Sequence, residues 1–292
     1  MNEKLFSLPV VNQITPYISE RQIDALSVIV ISHPKVRAAV TPQGAHLIAW
    51  QPTGEKPVIW LSEKTPFIPG KAIRGGVPIC WPWFGPAGEP AHGFARNMPW
   101  RLSAHDENDD NVLLTFVLES NEQTKRLWPH DFTLFARFRL GERCEIELEA
   151  HGDYDSTAAL HTYFAVTDID GVEISGLGQP FIDKVDNGVE GNLSDGKQTY
   201  PGRVDRIHTQ PEDCSVINDK AGSRFIEVYH HHQSDVVTWN PGAELSCSMG
   251  DMPNDGYKTM VCVETARISA PLKSAGEMPA RLGATFRLRK KA

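Results

Sequence analysis

A single glutamate interrupts the apolar segment 260–265, which reads MVCVET. If this segment is a strand, its two-residue period places Met260, Cys262 and Glu264 on one face. A carboxyl group carried into a buried or cleft position without a partner is costly, and burial raises its pKa. Two interpretations of Glu264 stay open: a structural carboxylate paired with an arginine, or a general base.

A histidine occupies a comparable position in segment 158–166, AALHTYFAV. Alternation along a strand puts Ala159, His161 and Tyr163 on one face. A lone histidine between core residues is more often a hydrogen-bonded structural group. The functional alternative for His161 is a general acid with a pKa near neutral, and that role requires a carboxylate or a substrate nearby.

Segment 74–96, RGGVPICWPWFGPAGEPAHGFAR, combines cationic and aromatic side chains with four prolines and a Gly-Gly pair. Proline removes a backbone donor and glycine permits conformations closed to other residues, so neither a helix nor a strand is expected. Arg74 and Arg96 carry planar donor groups that match phosphate oxygens, and His92 can hold a sugar hydroxyl. The segment predicts a rigid loop for an anionic, ring-shaped ligand such as a sugar phosphate. Exposed salt bridges and a histidine that caps backbone carbonyls are the alternatives.

Other candidates carry less information on their own. Trp81, Trp83 and Trp239 could each present an apolar face to a sugar ring, although tryptophan more often packs in a core. Asp205, between two basic residues in RVDRIH, could bind sugar hydroxyls or join a surface ion network.

Three consecutive histidines at 230–232 invite a metal interpretation. On a strand His230 and His232 would share a face, but no nearby carboxylate or cysteine completes a site, so no metal is expected there. The motifs G-x-G-x-x-G, P-loop and G-x-S-x-G are absent from the sequence, which leaves dinucleotide, nucleoside-triphosphate and serine-hydrolase functions without support.

The elements that must position these residues are mainly strands of four to eight residues between turn signals. Clear cases are 36–40, 112–119, 134–140 and 145–151. Around the last of these, Cys144, Ile146 and Leu148 alternate with three glutamates, as expected of a half-buried antiparallel strand. Asp-Gly and Asn-Gly pairs at 170–171, 187–188, 195–196 and 255–256 predict hairpins.

Helix signals are few. Ser19 with Gln22 and Ser120 with Gln123 resemble capping boxes, and Pro129 would end the second helix. Strands and helices do not alternate, which argues against a parallel α/β fold. The sequence therefore predicts an all-β fold, a large antiparallel sandwich with a few short helices.

Composition sets wide limits on function. The chain has 292 residues, a net charge of -8 and 40% hydrophobic residues. The acidic balance argues against nucleic acid as a partner, so any phosphate-binding cations must be concentrated locally. Five scattered cysteines without a C-x-x-C pair indicate reduced thiols. No apolar run approaches the roughly 18 residues of a membrane span, and no signal peptide is evident, so we expect no membrane association and a cytoplasmic location.

Six separated segments agree in order with a known family: RGGVPICWPWFG, HGFAR, LHTYF, FIDK, VVTWNP and MPNDGYKTMVCVET. Together they resemble the hexose-6-phosphate mutarotases (glucose-6-phosphate 1-epimerases) of the aldose 1-epimerase superfamily, over nearly the whole chain. The resemblance implies one galactose mutarotase-like β-supersandwich domain spanning residues 1–292, acting on a small hexose 6-phosphate, with no metal and no organic cofactor. Nothing in the sequence demands an oligomer, so we expect a monomer.

The resemblance also implies a role for each site residue. His161 corresponds to the catalytic acid and Glu264 to the catalytic base. Arg74 and Arg96 match substrate-binding arginines associated with the phosphate. Asp205 matches an aspartate that binds sugar hydroxyls, and His92 stands where the superfamily commonly has a second active-site histidine. Trp239 is added as a substrate-binding residue on the ground of its apolar face alone. Ala91 stands where some relatives carry a glutamine ligand, which leaves the number of sugar hydrogen bonds open.

Two other functions fit parts of this pattern. A non-catalytic sugar-phosphate-binding module would keep the arginines and tryptophans but would not need Glu264 on an apolar strand. A glycoside hydrolase could use Asp205 and Glu264 as its two carboxylates, but it would leave His161 and both arginines without a role. Assays of anomer exchange, of sugar-phosphate binding and of glycoside hydrolysis would distinguish the mutarotase, the binding module and the hydrolase.

Overall fold

The computed structural model describes residues 1–290 and consists mainly of antiparallel strands. In chain order the strands are β1 (Val10–Gln13), β2 (Ile18–Ile23), β3 (Leu26–His33), β4 (Val36–Thr41), β5 (His46–Pro52), β6 (Ile79–Cys80), β7 (Arg101–Glu107), β8 (Asn111–Glu119), β9 (Phe132–Gly141), β10 (Arg143–Gly152), β11 (Tyr154–Leu160), β12 (Tyr163–Ala165), β13 (Val172–Ser175), β14 (Pro180–Asp183), β15 (Val189–Asn192), β16 (Val204–His208), β17 (Cys214–Asp219), β18 (Arg224–His231), β19 (Asp235–Asn240), β20 (Met260–Ser274) and β21 (Ala280–Lys290).

These strands form three sheets. Sheet 1 follows the chain from β1 to β5, sheet 2 has the order β13-β17-β18-β21-β10-β9-β8-β7, and sheet 3 has the order β15-β14-β16-β19-β20-β11-β6, with β12 also paired to β20. This is the β-supersandwich architecture that the sequence predicts. The four strands placed from the sequence are confirmed as β4, β8, β9 and β10, each within two residues at either end.

Alternation along the strands decides which side of each sheet is buried. On β10, Cys144, Ile146 and Leu148 are buried in the main core, as predicted, while the intervening glutamates lie on the other face. On β20, Val261 and Val263 also enter the main core, so the opposite face of β20 is left for the functional residues. One core therefore supports both sheet 2 and the candidate site.

Sheet 1 has an exposed edge strand, β1, but its central strand β3 is buried on both faces. Ile29 and Ile31 of β3 pack in the main core, whereas Val28 and Val30 pack in a second cluster with Leu5. Both faces are apolar because burying apolar area away from water stabilises the fold by about 25 cal/mol per Å².

The helices are short: α1 (Asn2–Ser7), α2 (Glu122–Leu127) and α3 (Gly242–Ser248), with 3-10 turns at Ala95–Asn97, Ile169–Gly171 and Gly256–Thr259. The helix predicted at Ser19 is wrong, because Ser19 lies within β2 and its apolar neighbours alternate as in a strand. The second predicted helix exists as α2 and ends before Pro129, but its capping box uses Asn121 and Thr124, one residue later than predicted.

Of the four predicted turns, Asn187 and Gly188 join the hairpin strands β14 and β15. The other three do not connect paired strands, and two of them begin or end 3-10 turns. Within residues 1–290, no helix has the length and apolar character needed to cross a membrane.

Candidate active site

Sheet 3 brings four side chains into one row across neighbouring strands. Asp205 of β16 lies opposite Trp239 of β19, Trp239 opposite Cys262 of β20, and Cys262 opposite Tyr163 of β12. Directly opposed residues of antiparallel strands project from the same face of the sheet. The row therefore collects, on one surface, residues that lie up to 99 positions apart in the sequence.

A second row runs parallel to the first and contains Ile207, Val237 and Glu264. Glu264 is 1% exposed and has apolar neighbours in its own row, so its carboxyl group is largely removed from water. The alternation predicted for segment 260–265 is confirmed. The arginine partner of the structural interpretation is not found, since Oε2 of Glu264 has no hydrogen-bond partner among the described residues.

His161 lies next to Glu264 because β11 and β12 pair with β20 in the same register, with Leu160 opposite Thr265 and Tyr163 opposite Cys262. The sequence predicts a continuous strand through 158–166, but β11 ends at Leu160 and β12 begins at Tyr163. In the interruption, the His161 N–H donates to the Pro78 carbonyl at 3.0 Å. The His161 ring stacks on Tyr163, with centroids 5.0 Å apart, and its Nε2 lies 3.4 Å from Oε1 of Glu264.

The loop predicted at 74–96 lies against this face of sheet 3. It contains only one short strand, β6, and its path depends on glycine at close backbone approaches. Gly93 has a φ of +72°, and a Cβ at this position would lie 2.0 Å from the Trp81 carbonyl oxygen. Only glycine fits such a contact. Gly93 thereby fixes the position of its neighbour His92.

A cavity of about 480 Å³ lies between the loop and sheet 3. Its lining residues are Arg74, Phe84, Gly85, Pro86, Ala87, His92, His161, Tyr163, Lys184, Asp205, Ile207, Val237, Trp239, Glu264 and Ile268. Six of the seven predicted site residues are in this set, although their numbers run from 74 to 264. A cavity of this size with a few convergent polar groups is typical of small-molecule sites.

Arg96 is the seventh predicted residue, and it does not line the cavity. Its Nη2 donates to the Ala91 carbonyl at 2.9 Å, and its buried Nε has no partner among the described residues. The positive charge of Arg96 nevertheless acts on the site, since it lowers the pKa values of His92, His161 and Glu264.

Arg74 is held in place by two residues that the sequence analysis did not assign. Its Nε donates to Oδ2 of Asp251 at 3.1 Å, and its Nη1 donates to the Tyr163 hydroxyl at 3.0 Å. The Arg74 side chain remains 26% exposed, so the guanidinium is oriented but not enclosed. Asp251 is 177 positions away in the chain, and no local pattern in the sequence indicates this contact.

Lys184 is a third cation that the sequence analysis left without a role, although FIDK is one of the family segments. It follows β14 directly, lines the cavity, and is exposed. Its backbone N–H donates to the Asp205 carbonyl at 2.7 Å, which fixes the lysine beside that aspartate. Arg74 and Lys184 thus approach the cavity from opposite ends of the row that runs from Tyr163 to Asp205.

The buried acid and base have opposite pKa shifts. Burial, reinforced by the negative charge of Asp205, raises the pKa of Glu264 well above its usual 4.5. Burial, together with the proximity of His92 and the positive charges of Arg96 and Arg74, lowers the pKa of His161 well below 6.5. Both shifts favour the uncharged forms, so a proton that the two groups share across 3.4 Å is favoured on Glu264 over His161.

His92 is a neutral donor at the cavity wall. Burial, together with the charges of Arg96 and Arg74, lowers its pKa to about 4. Its Nδ1 accepts a hydrogen bond from the Gly85 N–H at 3.2 Å. The proton of the neutral ring is therefore on Nε2, which is left to donate to a ligand. The predicted alternative, a histidine that caps carbonyls, does not describe this geometry.

Two predicted tryptophans have other roles. Trp81 is completely buried and makes edge contacts with four aromatic rings, and Trp83 donates to the Pro90 carbonyl while packing against Phe94. Neither lines the cavity. Trp239 does, and its ring lies 6.2 Å from that of His161.

The three consecutive histidines do not form a site together. β18 ends at His231, so His232 is outside the strand and does not share a face with His230 as the sequence suggested. His230 is buried and hydrogen-bonds to the hydroxyls of Ser215 and Thr265. Across residues 1–290, the group of three potential metal ligands lies elsewhere, at His161, Cys262 and Glu264.

The fold and this cavity define the class of protein. The family model described as aldose 1-epimerase matches residues 27–278, and the chain belongs to that family of isomerases. An Escherichia coli relative, named "Putative glucose-6-phosphate 1-epimerase", is 58% identical over 100% of both chains.

Solved structures agree with this family. A Salmonella typhimurium crystal structure described as a "putative mutarotase" superposes with a TM-score of 0.98 at 58% identity over 100% of both chains. A galactose mutarotase related enzyme from Lactobacillus acidophilus has a TM-score of 0.68 at 12% identity, covering 90% of this chain and 97% of its own, and it shares the fold. The predicted β-supersandwich is thereby confirmed.

Proposed function

We propose that this enzyme interconverts the α and β anomers of glucose 6-phosphate and related aldohexose 6-phosphates, with Glu264 and His161 as its acid–base pair. The observation that carries this proposal is the 3.4 Å approach of His161 Nε2 to Glu264 Oε1 in the wall of a cavity of about 480 Å³. The sugar phosphate in the names of two relatives at 58% identity supports the choice of substrate.

Mutarotation needs one proton removed from the anomeric hydroxyl and one delivered to the ring oxygen. In the proposed cycle Glu264 takes the hydroxyl proton while His161 protonates the ring oxygen, and the ring opens to an aldehyde. The C1–C2 bond rotates, and closure from the other face returns both protons. A pair that shares a single proton is suited to this cycle, because moving that proton from Glu264 to His161 produces the required base and acid.

The rest of the cavity orients the sugar between these two groups. Asp205 and His92 are proposed to bind sugar hydroxyls, and Trp239 to contact an apolar face of the ring. Arg74, with its guanidinium oriented by Tyr163 and Asp251, is proposed to bind the phosphate. Arg96 has an unpartnered Nε and is proposed to assist Arg74, with a side-chain movement away from Ala91.

All of these groups come from one chain, so the site needs no contribution from a second copy. A monomer built as one domain over residues 1–292 remains part of the proposal. The convergence of polar groups inside a cavity supports a small-molecule substrate rather than a macromolecular partner.

The test is anomer exchange in glucose 6-phosphate at equilibrium, followed by NMR magnetisation transfer. Glu264→Gln and His161→Asn are each expected to lower the enzyme-catalysed exchange rate by about 100-fold or more, the usual contribution of general acid–base groups. Glu145→Gln is the matched control, because Glu145 is half exposed on sheet 2 and pairs with Arg139 away from the cavity. Exchange that persists unchanged in Glu264→Gln protein would refute the assignment of the base.

Free glucose in the same assay tests the phosphate contacts. If Arg74 binds the phosphate, Arg74→Ala is expected to reduce exchange of glucose 6-phosphate much more than exchange of glucose. An equal loss of exchange with both sugars would contradict a phosphate-binding role for Arg74. The same samples test the hydrolase alternative, since Asp205 and Glu264 line one cavity, and release from an aryl glycoside would favour it.

A further inference from the structure

The face of β20 that carries Glu264 also carries a thiol. Cys262 lies two residues before Glu264 and is fully buried between Trp239 and Tyr163. The Cys262 sulfur, one imidazole nitrogen of His161 and one carboxylate oxygen of Glu264 all lie within 4.8 Å of one another. The proposed proton cycle uses the last two groups and leaves the thiol without a role.

We propose that His161, Cys262 and Glu264 form an inhibitory site for a thiophilic divalent cation such as Zn²⁺. Thiolate, imidazole and carboxylate are the three ligand types that zinc takes in proteins, usually in a tetrahedron. The fourth position would face the cavity and hold a water molecule or a substrate oxygen. This is a site of inhibition rather than of a resident cofactor, because a metal here occupies the base and the acid of the proposed reaction.

The separations fit a tetrahedral ion. With metal–ligand bonds of about 2.0–2.3 Å, neighbouring ligand atoms lie roughly 3.3–3.7 Å apart. The nitrogen–oxygen separation of 3.4 Å between His161 and Glu264 already falls in this range. The sulfur needs to approach by at most about 1 Å, which a small side-chain rotation supplies.

Burial supports the site independently of spacing. Glu264 is 1% exposed and His161 is 9% exposed, and each retains a polar side-chain atom without a partner among residues 1–290. Buried polar groups normally have partners. A bound cation would satisfy the carboxylate and would remove the cost of holding it next to Asp205.

Binding is coupled to proton release. The ion bonds to a deprotonated sulfur, the unprotonated His161 nitrogen and an ionised carboxylate, so the proton of Cys262 and the shared proton of Glu264 both leave to solvent. Zinc therefore competes with two protons, and inhibition is expected to strengthen as the pH rises. The hard cations Mg²⁺ and Ca²⁺ prefer oxygen ligands and are expected to have little effect.

The experiment measures anomer exchange at free Zn²⁺ concentrations set by a chelator buffer. Wild-type protein is expected to be inhibited and to recover with excess chelator. The exchange rate of each variant with zinc is compared with the rate of the same variant without zinc. Cys262→Ser is expected to need at least about tenfold more zinc for half-inhibition, since even outer contacts of a metal site are worth this much. Cys247→Ser is the control for an exposed thiol and is expected to behave as wild type.

A second readout is independent of activity. Co²⁺ bound by a thiolate has an ultraviolet charge-transfer absorption, which is expected in wild-type and Cys247→Ser protein and absent in Cys262→Ser. Failure of the proposed mutarotase function would leave this absorption in place, so the two proposals can fail separately. Should Cys262→Ser fold poorly, as circular dichroism would show, Cys262→Ala removes the same thiol and gives the same comparison. Equal zinc sensitivity with and without the Cys262 thiol, or no cobalt band in the wild type, would overturn the proposal.

Discussion

Glu264 and His161 show how two side chains acquire opposite properties from the same surroundings. Burial destabilises a charge on either group, and this raises the pKa of the carboxyl while lowering that of the imidazole. The negative charge of Asp205 raises the pKa of Glu264 further, and the positive charges of Arg96 and Arg74 lower the pKa of His161 further. Arg96 also lowers the pKa of Glu264, but burial and Asp205 outweigh it. The result is a pair that holds one proton over a wide range of pH.

The pair predicts the pH dependence of turnover. Below the lowered pKa of His161 the pair takes a second proton and loses its base, so kcat is expected to fall on the acid side of pH 6.5. Above the raised pKa of Glu264 the pair loses its only proton, so kcat is expected to fall again at alkaline pH. Between these limits kcat is expected to be flat, as measured by NMR exchange at saturating substrate.

Asp205→Asn provides the check on this assignment. It removes the negative charge that raises the pKa of Glu264, so the alkaline limb is expected to move to lower pH. An alkaline limb that stays in place or moves upward would contradict the assignment. Because the substrate phosphate itself titrates near pH 6, the comparison uses kcat rather than kcat/KM.

At the scale of elements, the sequence predicts a side chain correctly where the two-residue period of a strand decides on which face of the sheet it lies. Once 260–265 is a strand, the two-residue period places Cys262 and Glu264 on the face opposite Val261 and Val263, and the structure agrees. The same rule holds around Leu160, since His161 and Tyr163 line the cavity while Leu160 and Phe164 enter the main core. The interruption between β11 and β12 was not predicted, because the Pro78 carbonyl that accepts the His161 N–H belongs to the distant loop.

Contacts between distant elements could not be derived from the sequence in this way. Asp251 and Tyr163 orient Arg74, and Arg96 turns toward Ala91, because of how the loop at 74–96 lies on sheet 3. Lys184 enters the cavity because β14 pairs with β16. Each of these depends on the assembled sheet, and local spacing does not encode it.

The close backbone contact in the loop at 74–96 predicts that stability and activity depend strongly on Gly93. Gly93→Ala would place a Cβ 2.0 Å from the Trp81 carbonyl oxygen, so the backbone that carries His92 must move. Gly70→Ala is the matched control, since Gly70 has a similar φ of +78° but no atom within 4 Å of the added Cβ.

We expect Gly70→Ala to cost about 1 kcal/mol, from the left-handed backbone alone. Gly93→Ala is expected to cost at least about 2 kcal/mol more, from the contact with the carbonyl, and to reduce anomer exchange. Urea denaturation and NMR exchange measure the two effects. Equal stability of the two variants would show that the close approach is relieved without displacement of the loop.

At the scale of the whole molecule, the chain places buried carboxylates in two contrasting environments. Glu149 of β10 on sheet 2 is bonded by Arg137 at 3.1 Å and by Arg281 at 2.7 Å. Burial alone would raise its pKa, but hydrogen bonds from His151, Arg137 and Arg281 outweigh burial and lower the pKa of Glu149 to about 2. Glu264 of sheet 3 has no such partners. The Glu149 carboxylate therefore stabilises the fold, whereas the Glu264 carboxyl group lies in the wall of a cavity.

The partners of Glu149 predict a loss of stability in Glu149→Gln. Its folded-state pKa lies below the usual 4.5, so the ionised group stabilises the protein above that pH, and this contribution fades as the pH falls towards 2. Because Arg137 and Arg281 are nearly half exposed, we expect the loss at neutral pH to be about 1–2 kcal/mol. Urea denaturation at several pH values measures it, and anomer exchange should be retained.

The opposite result is expected for Glu264→Gln. The folded-state pKa of Glu264 is raised, so the wild-type carboxyl binds its proton more tightly in the folded state, and stability falls as the pH rises above 4.5 towards that raised pKa. Replacing it with an amide removes this penalty, and we expect a gain of roughly 0.5–2 kcal/mol at neutral pH together with loss of exchange. The gain should disappear below pH 4.5, where the wild-type carboxyl is protonated in both states. A Glu264→Gln protein less stable than wild type at neutral pH would show that the ionised carboxylate contributes to the fold.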